Sequence, residues 1–226
     1  WSTFDASKNG VGYDATGYNG IIFDGQFVYL SPKSNHGGPH GEVLRYDTHQ
    51  EFDSVEAWST FDASKNGVGN NAKGFGDGIF DGQFLYFVPI YNNENFHGEV
   101  LRYDTHQEFD SVEAWSTFDA SKNGLGLAIG FQDVSFDGQF LYFSPLNSDW
   151  GFSHEILRYD THQEFDSVEA WSTFNPTHDA PFLAQGYSDP IYEKNYVYFS
   201  PRIGPFGGHG EVLRYDTSQE FDSVEA

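Results

Sequence analysis

Apolar positions along this chain fall in short alternating or continuous runs separated by turn residues, and no stretch spaces them three and four apart as a helix would. Near the start, Gly20-Ile21-Ile22-Phe23 reads as a strand, Asp24-Gly25 as a tight turn that favours positive φ, and Gln26 to Leu30 as the returning strand, ended by Pro32. Glu42 to Asp47 reads as a third strand. Ala57 to Phe61 reads as a fourth, after the turn-rich segment Thr48 to Glu56. The same phrase then recurs. WSTFDASKNG opens at Trp1, Trp58 and Trp115, and a diverged copy, WSTFNPTHDA, opens at Trp171, which divides the chain into repeats 1–57, 58–114, 115–170 and 171–226. The pattern predicts an all-β array of four like units, each of four antiparallel strands, forming a single domain over 1–226.

The segments FDGQFVYLSP, GEVLRYDT and WSTFD, taken in that order, resemble the blade pattern of kelch-like and related β-propellers along the whole chain. The resemblance implies a four-bladed β-propeller of the size of hemopexin-like domains. The frame of the repeat, which opens with the strand placed outermost, predicts closure by pairing of the N-terminal strand, 1–5, with the last blade at 211–217, which removes a free sheet edge. The G-H and W-D spacing of WD repeats and the glycine doublet of kelch repeats do not occur, so the resemblance speaks to fold and leaves activity to the site.

Charge narrows the partners. With 34 acidic residues against 11 basic ones the net charge is -23, which repels phosphate backbones and excludes nucleic acid. Much of it lies in Gln50 to Glu56 and the copies at 107–113, 163–169 and 219–225, expected to form a solvated acidic rim, with a weak Ca²⁺ surface site as the functional alternative. The 23 Phe, 14 Tyr and 5 Trp, with no Met, predict an aromatic core. The lack of cysteine excludes disulfides and thiolate chemistry. No apolar run reaches membrane-spanning length and no signal peptide is recognisable. A monomer without membrane insertion is expected, and the compartment stays unassigned.

Comparison of the four repeats with one another separates constant from varied segments. The connection into each first strand varies (Val11 to Thr16 in the first repeat), and so does the connection between second and third strands (Lys33 to Pro39, Ile90 to Phe96, Leu146 to Ser153, Arg202 to Gly208). Strand alternation places both on one end of the sheets, the expected binding end. Two polar positions persist there. Each third strand is entered by histidine, at His40, His97, His154 and His209, and each first strand by Asn or Asp, at Asn19, Asp77, Asp133 and Asp189.

Three readings of these residues stand side by side. In the first they pin loops together within each repeat. In the second the four imidazoles hold one divalent metal (Zn, Cu, Fe or Ni), with the Asn and Asp side chains as outer partners that orient the rings. In the third the Asn19, Asp77, Asp133 and Asp189 set alone holds a hard cation such as Ca²⁺. Aromatics beside the varied loops, Tyr18, Phe75, Tyr91, Phe96, Phe131, Trp150 and Tyr187, with neighbouring asparagines, point to a small molecule or glycan as ligand. No compact catalytic signature occurs, so catalysis would enter only through a bound metal. A structural or engineered repeat scaffold without a ligand is the remaining class.

Overall fold

The structure, a computed structural model, describes residues 1–13, 15–69, 71–146, 151, 153–178, 185–204 and 207–222. It is all-β, with short 3-10 turns, and its strands form the repeating antiparallel sheets that the pattern predicts. The first sheet runs Tyr18–Phe23, Phe27–Pro32, Glu42–Asp47, Trp58–Asp62 in chain order, and the second runs Phe75–Phe80, Phe84–Pro89, Glu99–Asp104, Trp115–Asp119. The third runs Phe131–Phe136, Phe140–Pro145, Ile156–Asp160, Trp171–Phe174. The last holds three strands among the described residues, Tyr187–Glu193, Tyr196–Pro201 and Leu213–Asp216. Trp1 to Asp5 carries no strand, and Trp1 is fully exposed. Two compact units divide the chain: Trp1–Phe87 with Tyr91–Glu94 and Val100–Thr117, and Val88–Ile90 with Asn95–Glu99 and Phe118–Ala226.

The first hairpin shows why the sequence folds this way. Asp24 Oδ1 accepts the backbone N–H of Gln26 (2.8 Å) and of Phe27 (2.6 Å), while Oδ2 accepts the Tyr29 hydroxyl (2.8 Å). Gly25 supplies the positive φ of 109° that the turn requires. Asp81 and Asp137 repeat the arrangement with Tyr86 and Tyr142. In the fourth repeat Lys194 takes the left-handed position at φ 59° in place of glycine. At the same end of each sheet the third strand closes on a second polar turn, where Asp47 Oδ1 accepts His49 N–H (3.0 Å) and Oδ2 accepts Gln50 Nε2 (2.9 Å).

In the first, third and last sheets the first strand carries a β-bulge near its start. Tyr18 pairs with Pro32 and Phe131 with Pro145, after which the register shifts before Ile21 and Val134. The residue matching Asp133 in the first repeat is therefore Gly20, and Asn19 sits one place earlier, exposed, with its Oδ1 accepting Lys33 Nζ (3.2 Å). The alignment of Asn19 with Asp77, Asp133 and Asp189 is corrected accordingly. A Cβ at Gly20 would collide with the Asp77 carboxylate, so a side chain there is excluded.

The core of the first unit is built from Tyr29, Phe61, Phe75, Phe87, Tyr103, Phe109 and Trp115 with smaller aliphatic residues, and a second cluster in that unit joins Ala6, Ala15 and Leu44 to Phe4 and Trp58. In the second unit Tyr142, Tyr187, Phe199, Tyr215 and Phe221 pack together. Burial pushes the Tyr103 and Tyr187 phenols up to about 12, and it raises Tyr29 and Tyr142 further, reinforced by the carboxylates of Asp24 and Asp137. These groups stay protonated in the folded chain while an unfolded tyrosine ionises near ~10, so their stabilising contribution is complete below that value and is lost as pH rises from about 10 toward 12. Alkaline titration by phenolate absorbance, followed alongside circular dichroism, is expected to show exposed tyrosines titrating first. A late group should ionise together with loss of structure. Smooth ionisation of every tyrosine with the fold intact would contradict the burial.

Candidate functional site

Among the described residues, the ends of the varied segments lie side by side at one end of each sheet. In all four repeats the amide just after the second strand donates to the carbonyl of the glycine before the first strand: Lys33 to Gly17, Tyr91 to Gly74, Leu146 to Gly130 and Arg202 to Gly186, at 3.1–3.2 Å. Their lengths and sequences differ while this tie is constant.

Histidine enters each third strand beside it. His40 and His97 are buried, and the Nδ1 of each accepts a backbone N–H two residues on, from Glu42 and Glu99, at 3.3 Å. With Nδ1 acting as acceptor, the proton of the neutral ring sits on Nε2. His209 fits the same tautomer, its Nε2 lying 2.9 Å from the Gln185 carbonyl. The rings also make edge contacts with aromatics, His40 with Tyr18 (5.6 Å between centroids) and His209 with Tyr187 (5.4 Å). His154 is half-buried. Among the described residues no group of three or more His, Cys, Asp or Glu could hold a metal ion.

Of the Asn/Asp set, Asp133 and Asp189 come together in the second unit, where the Asp133 carboxylate accepts the Asp189 N–H at 3.1 Å. Asp189 holds a left-handed φ of 44°. In the first unit Asp77 lies against Gly20. The aromatics divide by exposure. Phe75, Phe131 and Tyr187 are fully buried and Tyr18 packs on His40, so these serve the frame. Tyr91 is exposed, its hydroxyl donating to the Asn93 carbonyl (3.1 Å), and Phe96 is half-buried. Trp150 lies outside the described residues.

The two varied segments of the first repeat, with the strand ends beneath them, enclose an open cleft of about 310 Å³. Its floor is the cross-strand pair Glu42 and Asp62, both buried, with His40 beside them. Two carboxylates facing each other on adjacent strands repel unless a cation or donor intervenes. Lys65 supplies one: its Nζ lies 2.7 Å from Asp62 Oδ2, and that bond raises the ammonium above its ordinary value. Ser64 Oγ donates to Asp62 Oδ1 at 2.6 Å. At the rim stand Tyr13, exposed and 6.0 Å from Lys65 Nζ, then Asn35 and Lys73.

The second sheet keeps the floor, Glu99 with Asp119, again bonded by Ser121 and Lys122. In the third, Asn175 replaces the aspartate and its Nδ2 donates to Glu155 Oε1 at 3.2 Å. Sequence reasoning passed over this Glu and Asp pair because the two residues belong to different strands twenty positions apart. The signal that finds them is the cross-strand register of the third and fourth strands, which sets Glu42 opposite Asp62. No helix among the described residues is long and apolar enough to cross a membrane. No protein-family model matches the chain, and no match to it is found among the curated proteins.

Proposed function

We propose that this chain is a ligand-binding repeat protein whose sheets are the blades of a β-propeller, four per chain, with a WSTFD strand completing the last of them, and that its loop end binds a small polyhydroxylated ligand such as a glycan. The observation that carries the reading is the first-repeat cleft, where a floor of two buried carboxylates, Glu42 and Asp62, lies under a rim of Tyr13, Asn35 and Lys73. Paired carboxylates accept hydrogen bonds from neighbouring hydroxyls of a sugar ring. The exposed Tyr13 offers an apolar face for its C–H side, and Asn35, Lys65 and Lys73 supply donors. Repetition of the floor in further sheets suits a multivalent glycan through raised effective concentration.

A glycan array on the purified chain, followed by calorimetric titration of any hit, tests this. Tyr13→Ala and Asp62→Asn are each expected to weaken binding about tenfold, as loss of a stacking face or a charged acceptor does, while the melting midpoint of Tyr13→Ala stays unchanged. An array without hits, or a hit indifferent to both changes, would overturn the assignment.

A further inference from the structure

The floor of the first-repeat cleft already holds an ammonium group. Lys65 Nζ lies 2.7 Å from Asp62 Oδ2 and 6.0 Å from the centre of the Tyr13 ring, and the Glu42 carboxylate adds to its hold. A carboxylate on one side and an aromatic face on the other are the two attractions that bind a primary ammonium. A Cβ at Gly12 would collide with Glu42 Oε1, so the segment that carries Tyr13 runs directly over the floor.

The two partners of this ion pair are held very differently. Asp62 is buried on its strand, and its Oδ1 is fixed by the Ser64 hydroxyl at 2.6 Å and the Ser64 N–H at 3.1 Å. The Lys65 side chain is 67% exposed, and a pair with so exposed a partner contributes little, so the ammonium moves into water at small cost. Its withdrawal alone would leave Glu42 and Asp62 facing each other across adjacent strands, buried and both negative. Another cation must then take its place.

The other sheets follow the same rule. Where the floor has two carboxylates, in the second sheet, Lys122 Nζ lies 2.6 Å from Asp119 Oδ2 with Glu99 adding its field. Where the aspartate becomes Asn175, in the third, the side-chain amide itself donates to Glu155 Oε1, and His178 stands three positions on in place of lysine. The ammonium thus accompanies the paired carboxylates and is dropped with them.

Building on the glycan reading of this cleft, we propose that its ligand is an amino sugar with a free, protonated amine, which replaces the Lys65 ammonium between the floor carboxylates and Tyr13. Lys65 turns out to solvent as the sugar enters. The C–H face of the ring lies on Tyr13, and Asn35 and Lys73 at the rim meet its hydroxyls. Hydroxyls alone would leave both negative charges uncompensated once Lys65 had moved. The net charge of -23 draws a cationic glycan in and holds off sulfated or carboxylated ones.

Calorimetric titration of the full chain at physiological salt, with a short glucosamine oligomer and with the same oligomer N-acetylated, tests this. The free-amine oligomer is expected to bind about tenfold or more tightly than the acetylated one, the difference a hydrogen bond to a charged group makes. Lys65→Ala removes the internal competitor and is expected to strengthen that binding about threefold, the size of an exposed ion pair. Lys8→Ala changes the net charge equally at an exposed site outside the cleft and leaves binding as it was. Equal or tighter binding of the acetylated oligomer would overturn the proposal. So would weakened or unchanged binding by Lys65→Ala, an equal gain from Lys8→Ala, or no binding of the free-amine oligomer beside another glycan that does bind. Those results leave the glycan reading standing, whereas an array with no hits removes both.

Discussion

Trp115→Ala is expected to lower the free energy of unfolding by about 3–5 kcal/mol, the range for removing a large aromatic from a packed core. The indole is 5% exposed, stacked in a cage between Tyr103 at 4.5 Å and Phe61 at 4.7 Å, and bonded through Nε1 to the Phe109 carbonyl at 3.0 Å. Truncation opens a cavity that these rigid rings fill poorly, because they are themselves held by other contacts: Tyr103 Oη donates to the Gln107 carbonyl at 2.9 Å, and Arg45 lies 4.2 Å over Phe109. Truncation also leaves the Phe109 carbonyl unpaired. Trp58 has the same contacts but is only half-buried, and its cage wall Phe52 is exposed, so Trp58→Ala should cost distinctly less. Urea denaturation of both variants, followed by far-ultraviolet circular dichroism, measures the difference. Equal losses, or a loss under about 1 kcal/mol for Trp115→Ala, would show that the cage does not hold the sheets as its geometry indicates.

The strands were legible because their signal is collective. Alternation over five or six residues, Asp-Gly between two such runs, and proline after the second each point the same way, and the repeat states it several times. The Trp cage was hidden for the opposite reason. Phe52, Phe109, Phe165 and Phe221 each stand alone among acidic residues, in a segment that reads as solvated rim. One apolar residue has no period, and in the first three sheets the tryptophan that folds back to bond its carbonyl lies six positions later. Its persistence through four otherwise polar turns was the available clue.

The histidines were correctly picked out as retained, yet His40 and His97 are engaged by the amide two residues on, a local constraint that spacing along the chain does not reveal. Asn19 was misaligned by one place: it directly follows the aromatic that opens its strand, as Gln132 does, whereas Asp77, Asp133 and Asp189 stand two places after theirs, and the sequence itself carries that difference. Tyr18, Phe75, Phe131 and Tyr187 follow a glycine and so read as loop aromatics. They are the first residues of their strands, and Phe75, Phe131 and Tyr187 turn fully into the core.

The hairpin aspartates lead to the other large effect. Asp81→Ala is expected to cost about 3 kcal/mol, because one carboxylate serves three donors: Gln83 N–H at 2.8 Å, Phe84 N–H at 2.7 Å and the Tyr86 hydroxyl at 2.8 Å. Tyr86 is fully buried, so its hydroxyl loses its acceptor without gaining water, and that desolvated donor should account for the larger share. The fourth repeat shows the alternative solution. There Glu193 and Lys194 replace Asp-Gly, and Tyr198, at the position of Tyr86, is only half-buried and keeps access to solvent. A double-mutant cycle separates the contributions. If the phenol bond carries the cost, Asp81→Ala in a Tyr86→Phe background should cost about 1–2 kcal/mol less than in the parent, since no buried hydroxyl is then left unpaired. An undiminished cost would assign the effect to the two turn amides, and the carboxylate would then act as a cap on the turn with no hold on the core.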